Sequence, residues 1–159
     1  MFWKILTAVV LATCCGHALA VDLPIVRGTL TAAEILDRFE SYRANYTAYT
    51  PDAETLAAGG ALPAELEVVV VFGSWCSDSL DHVPGFIKII EALKLAADRI
   101  RYIGVDRTKR DPDGLTDDLH IERVPTFIFL LDGVEAGRII ETPNDTLEKD
   151  IRAILRPAN

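Results

Sequence analysis

The run Val68-Val69-Val70-Val71-Phe72 is followed four residues later by Cys76, and Val83, Phe86, Ile87, Ile90, Leu93 and Ala97 then recur at helical spacing. The first run is short, β-branched, aromatic and free of charge, which predicts a strand buried on both faces. The second predicts a helix over about 76–97. Cys76 therefore falls on the first turn of a helix at the carboxyl end of a buried strand. The unpaired N–H groups and the dipole of such a helix favour a thiolate over a thiol.

The remaining elements fall around this unit. Residues 21–30 carry no periodic signal and are expected to be a loose lead-in. Thr31 and Glu34 match a capping box, and Ile35, Leu36, Phe39, Tyr42 and Tyr46 predict one helical face running to about Tyr46. Pro51-Asp52 opens a shorter helix that Gly59-Gly60 closes. A strand is expected at 101–106, a charged loop at 107–113 and a short helix near 114–120. Residues 126–131 and 134–141 form a hairpin across Asp132-Gly133, and a last helix spans roughly 145–156. Strand–helix–strand units require parallel pairing and a hairpin requires antiparallel pairing, so a mixed central sheet covered by helices follows. The expected organisation is a leader at 1–20, a helical extension at 21–63 and one α/β domain at 64–159.

The leader is read from Lys4, the apolar stretch Ile5 to Leu11 and the small-residue site Ala18-Leu19-Ala20, the pattern of a secretory signal. Export is expected, with the bacterial periplasm as destination. A lipid anchor at Cys14 or Cys15 is the alternative, and it is the one route to a membrane, because the apolar stretch is too short to span one. Loss of the leader removes Lys4 and takes the net charge from −8 to −9. An acidic surface without a basic stripe argues against nucleic acid as a partner. Cys14 and Cys15 leave with the leader, so a single cysteine remains and no intramolecular disulfide can form. One cysteine and scattered histidines offer no metal site.

Trp75-Cys76-Ser77-Asp78-Ser79, together with Val124-Pro125-Thr126 before the hairpin and Gly137-Arg138-Ile139-Ile140-Glu141-Thr142-Pro143 at its end, resembles the thioredoxin superfamily over about residues 64–156. The similarity is greatest to exported members whose site reads tryptophan-cysteine-any-aspartate-serine. The resemblance implies a thioredoxin-like three-layer α/β fold, with Cys76 as nucleophile and Ser79 in place of the second cysteine. It also implies a cis-proline at Pro125 facing the sulfur, with Val124 pairing strand-like to an extended peptide. Trp75 would then cover the sulfur and contact substrate, and Pro84 would kink the long helix. The buried acid that dithiol members carry six residues before the nucleophile is Val70 in this chain, so the proton shuttle and the resolving thiol are both missing.

The chemistry this predicts is monothiol thiol–disulfide exchange. Cys76 would form a mixed disulfide with protein or low-molecular-weight disulfides. Ser79 cannot resolve it, though it shares a helix face with Cys76 and can hydrogen-bond the sulfur. Release then needs a second thiol, such as glutathione, and no bound cofactor is required. Asp78 works against activation, because its charge close to Cys76 disfavours the thiolate. His82 is badly phased to act as its base, and Glu141 comes near the site with no role assigned. The competing expectation is a non-catalytic module that grips extended segments of partner proteins on the same scaffold.

Overall fold

A computed structural model describes residues 24–156; the leader reading, including Cys14 and Cys15, lies outside them. The valine run forms β2 (Leu66–Phe72), and every residue of it except Glu67 is buried. Burial on both faces is possible because β2 is the central strand of five, in the order β1-β3-β2-β4-β5. It pairs in parallel with β3 (Ile100–Gly104) and antiparallel with β4 (Thr126–Leu131). The hairpin partner β5 (Val134–Ile140) closes one edge, with Asp132 and Gly133 at φ 51° and 74° in the turn. Both values lie in the left-handed region that a tight two-residue hairpin turn demands.

The opposite edge departs from the sequence reading. The expected lead-in contains a three-residue strand, β1 (Gly28–Leu30), paired antiparallel with β3. Ser74, immediately before Trp75, fastens it: its hydroxyl donates to the Pro24 carbonyl at 2.7 Å and accepts from the Val26 N–H at 3.1 Å.

Alternation along β2 divides the interior. Val68, Val70 and Phe72 face a large cluster that takes Ile35, Tyr42, Leu56, Phe86 and Ile151 from the helices. Val69 and Val71 face a smaller cluster with Ile103, Ile128, Val105 and Val124, against which Trp75, Cys76, Leu119 and Ile121 pack. The layers are thus helices, sheet, and the irregular segment between β3 and β4. The helix expected near 114–120 is a series of turns instead. The Asp111 carboxylate accepts from the N–H groups of Asp113, Leu115 and Thr116, which directs this backbone away from a helical ladder.

Among the helices, the Thr31–Glu34 capping box forms and starts α1 (Ala32–Arg38). The single helix expected to run to Tyr46 breaks at Phe39, where φ −127° and ψ 107° are extended, and α2 (Glu40–Ala48) begins. The break buries the Phe39 and Tyr42 rings together, 5.3 Å apart. Asp52 caps α3 (Ala53–Ala58) by accepting from Glu54 and Thr55. Helix α4 (Ser77–Ala92) is shorter than its apolar pattern suggests. Thr146 caps α5 (Leu147–Ile154), whose inner face carries Leu147 and Ile151.

The end of α4 is a Schellman arrangement: Leu95 N–H reaches the Ile90 carbonyl, Lys94 N–H reaches Glu91, and Lys94 sits at φ 58°. Pro84 lies inside α4 and is buried. A proline has no N–H to offer the carbonyl four residues back, which is that of Leu80. Asn45 on α2 supplies the missing donor, its Nδ2 lying 2.9 Å from the Leu80 oxygen. A few residues on, Lys88 Nζ donates to the carbonyls of Tyr46, Thr47 and Tyr49 at the end of α2. These contacts lock α2 onto the helix whose first turn carries the cysteine.

Candidate active site

Cys76 is the N-cap of α4, at φ −99° and ψ 129°, and its N–H donates to the Gly73 carbonyl at 2.9 Å. It is half-buried and the one free cysteine among the described residues. Its thiol donates to the Val124 carbonyl, with sulfur and oxygen 3.1 Å apart. The Asp78 carboxylate lies 3.9 Å away. The sulfur thus meets two acceptors, one neutral and one anionic, at the N-terminal end of α4.

Val124 and Pro125 are joined by a cis peptide bond, as the resemblance implies, and both are buried. Three bonds hold their loop. Thr126 Oγ1 donates to the Arg123 carbonyl at 2.7 Å, and Glu141 N–H donates to the Pro125 carbonyl at 2.7 Å. Arg123 Nη1 donates to Glu141 Oε2 at 2.6 Å. This hydrogen bond and the charge behind it hold the Arg123 guanidinium above its ordinary pKa.

The Trp75 indole folds back over Gly73. A β-carbon at residue 73 would come within 2.7 Å of the ring, so the turn between β2 and α4 needs glycine for close approach. Trp75 Nε1 donates to the Val105 carbonyl at 3.0 Å, and the Arg107 guanidinium stacks 5.0 Å from the ring centroid. Trp75 and Cys76 pack on one cluster together with Val124, so these three expected site residues come together.

Ser79 behaves differently from expectation. It is fully buried, and its hydroxyl accepts from the Gly73 N–H at 3.2 Å, with no hydrogen bond to the sulfur. It braces the turn ahead of Cys76. Its hydroxyl is turned to the Gly73 amide instead of the sulfur.

Sequence reasoning gave no role to Asn45, Ser74, Arg107 or Arg123. All four act through contacts between segments remote in sequence, and only the adjacency of Ser74 to Trp75 and of Arg123 to Val124 offered a signal. Among the described residues, no group of three or more His, Cys, Asp and Glu side chains is arranged to hold a metal ion, and no helix is long and apolar enough to cross a membrane.

No family model matches the chain, and no curated protein matches it. Similar solved structures include mitochondrial thioredoxin 3 from Saccharomyces cerevisiae in its oxidised form. It is 23% identical, covers 60% of this chain and 86% of its own, and has a TM-score of 0.37. A mutant thioredoxin from Halobacterium salinarum is 12% identical over 70% of this chain and 90% of its own, with a TM-score of 0.41. A structure from work on thiol resolution in yeast mitochondrial 1-Cys peroxiredoxin is 24% identical over 60% and 85%, with a TM-score of 0.37. The strand order, the mixed pairing and the flanking helices define a thioredoxin-like α/β fold.

Proposed function

We propose that the protein is an exported thiol–disulfide exchange protein that works with Cys76 alone. The observation that carries this reading is the placement of a half-buried sulfur at the N-cap of α4, 3.1 Å from the Val124 carbonyl. Cys76 loses its proton, and its thiolate attacks one sulfur of a substrate disulfide. The Cys76–substrate disulfide forms, the substrate S–S bond breaks, and the departing thiolate takes up a proton. A thiolate from glutathione, another small thiol or the substrate's own second cysteine then attacks the adduct and restores Cys76. With an external thiol that attack leaves the thiol in a mixed disulfide with the substrate, and a second equivalent frees the substrate's remaining sulfur and departs as the oxidised small disulfide; with an internal one the substrate's disulfides are rearranged. Trp75 and Val124-Pro125 form the docking surface, and Ser79 shapes the turn rather than the chemistry.

The Asp78 carboxylate 3.9 Å from the sulfur favours a second reading, a protein-binding module without turnover. The two readings separate in one experiment. The purified protein is incubated with oxidised glutathione, and the adduct at Cys76 is read by mass spectrometry beside a Cys76→Ser variant. Exchange predicts an adduct that excess reduced glutathione removes, and none in the variant. A thiol that stays unmodified until the protein is denatured would refute exchange and leave binding as the function.

A further inference from the structure

Glu141 has a backbone that glycine adopts freely and a longer side chain only under strain: its φ is 57°. It follows the last paired residue of β5, since Ile140 is in register with Thr126. At this one position the chain grips the docking loop twice. The Glu141 amide holds the Pro125 carbonyl at 2.7 Å, and its carboxylate holds Arg123 at 2.6 Å. Those two partners flank Val124, whose carbonyl meets the Cys76 sulfur. Glycine would relieve the backbone but would give Arg123 no carboxylate.

From this geometry we infer that Glu141 is the positioning residue of the docking loop: it clamps Arg123 and Pro125, fixes Val124 over Cys76, and so sets how well a peptide disulfide is presented to the sulfur. The inference rests on the exchange reading above. A disulfide flanked by peptide groups needs the Val124 backbone in place, whereas one lacking them needs only the sulfur. Glu141 therefore acts on the choice between the two classes.

The test compares second-order rates of mixed-disulfide formation at Cys76 with oxidised glutathione and with bis(2-hydroxyethyl) disulfide. Glu141→Gln, which lacks the charge, controls for the direct effect of that charge on the anionic peptide. Glycine is unstrained at φ 57°, so Glu141→Gly keeps the fold, which a thermal melt checks. The glutathione-to-hydroxyethyl rate ratio is expected to fall about tenfold in Glu141→Gly, the scale on which a loosened positioning contact acts. Glu141→Gln, which still offers Arg123 an oxygen, is expected to recover most of it. An unchanged ratio in the glycine variant, or a glutamine variant as poor as the glycine one, would overturn the assignment. Failure of the unaltered protein to react with either disulfide would refute the exchange reading itself, and the assignment with it.

Discussion

Replacing Asn45 with alanine removes the donor that completes α4 at its proline. The Leu80 carbonyl, which Pro84 cannot serve, then loses its 2.9 Å bond to Asn45 Nδ2 in a partly buried setting. An orphaned buried acceptor costs about 1–3 kcal/mol, and partial burial places this one near the lower end, about 1–1.5 kcal/mol. For a domain of this size that lowers the melting temperature by about 3–6 °C. The decisive measurement is a double-mutant cycle followed by urea unfolding. Pro84→Ala gives residue 84 an N–H for Leu80, so in that background Asn45→Ala should cost less than about 0.5 kcal/mol, a coupling of about 1 kcal/mol. Equal losses in both backgrounds would refute the idea that Asn45 is there to serve the carbonyl. The outcome bears on the site as well, because α2 is docked on the helix whose N-cap is Cys76.

Asp78→Asn removes a carboxylate 3.9 Å from the sulfur. A like charge at that distance is worth about 1 kcal/mol in a water-like dielectric. Iodoacetamide alkylation of Cys76 at neutral pH should therefore quicken about fivefold, and an unchanged rate would show that Asp78 is screened from the thiolate. Asp111 predicts an acid-sensitive loop. Desolvation works against its charge, but bonds from Leu115, Thr116 and Asp113 outweigh it and hold the carboxyl below its ordinary pKa. A depressed folded value means that Asp111 contributes stability above the unfolded value of about 4, and loses it as pH falls through the folded one. Asp111→Asn should thus lower the urea midpoint at pH 7 while flattening its decline in acid; parallel declines in the two proteins would count against this role.

The parts of the molecule legible in the sequence are those built from local pattern. β2, the Thr31–Glu34 capping box, the Asp132-Gly133 hairpin and the junction carrying Cys76 each follow from residues close together in the chain. β1 was hidden because three residues hold no period, and its strand state comes from pairing with β3, remote in the sequence. The true end of α4 was hidden because Ala92-Leu93-Lys94-Leu95-Ala96 are all good helix formers. Leu95 instead turns back onto the core in the Schellman arrangement, with Lys94 taking a place that glycine usually fills. The turns at 114–120 are set by one carboxylate, Asp111, whose capture of three backbone N–H groups no periodicity reveals. In the site, Cys76, Trp75, Val124 and Pro125 were readable from motif, while the clamps on them were not. Glu141 and Arg123 lie on either side of the hairpin and meet only once it has formed.

Under the exchange proposed for Cys76, the bond from its thiol to the Val124 carbonyl gives the site a timing of its own. In the reduced protein, the oxygen that would receive an incoming amide already holds the sulfur's proton. A sulfur bound in a mixed disulfide has no proton to give, so that oxygen becomes vacant when a peptide has been captured. Once Cys76 is free again its proton returns to the same oxygen and competes with the peptide still lying there. Arrival and departure would then be coupled through one atom, and the isotopically labelled Val124 carbonyl would show each step as a change in its NMR chemical shift.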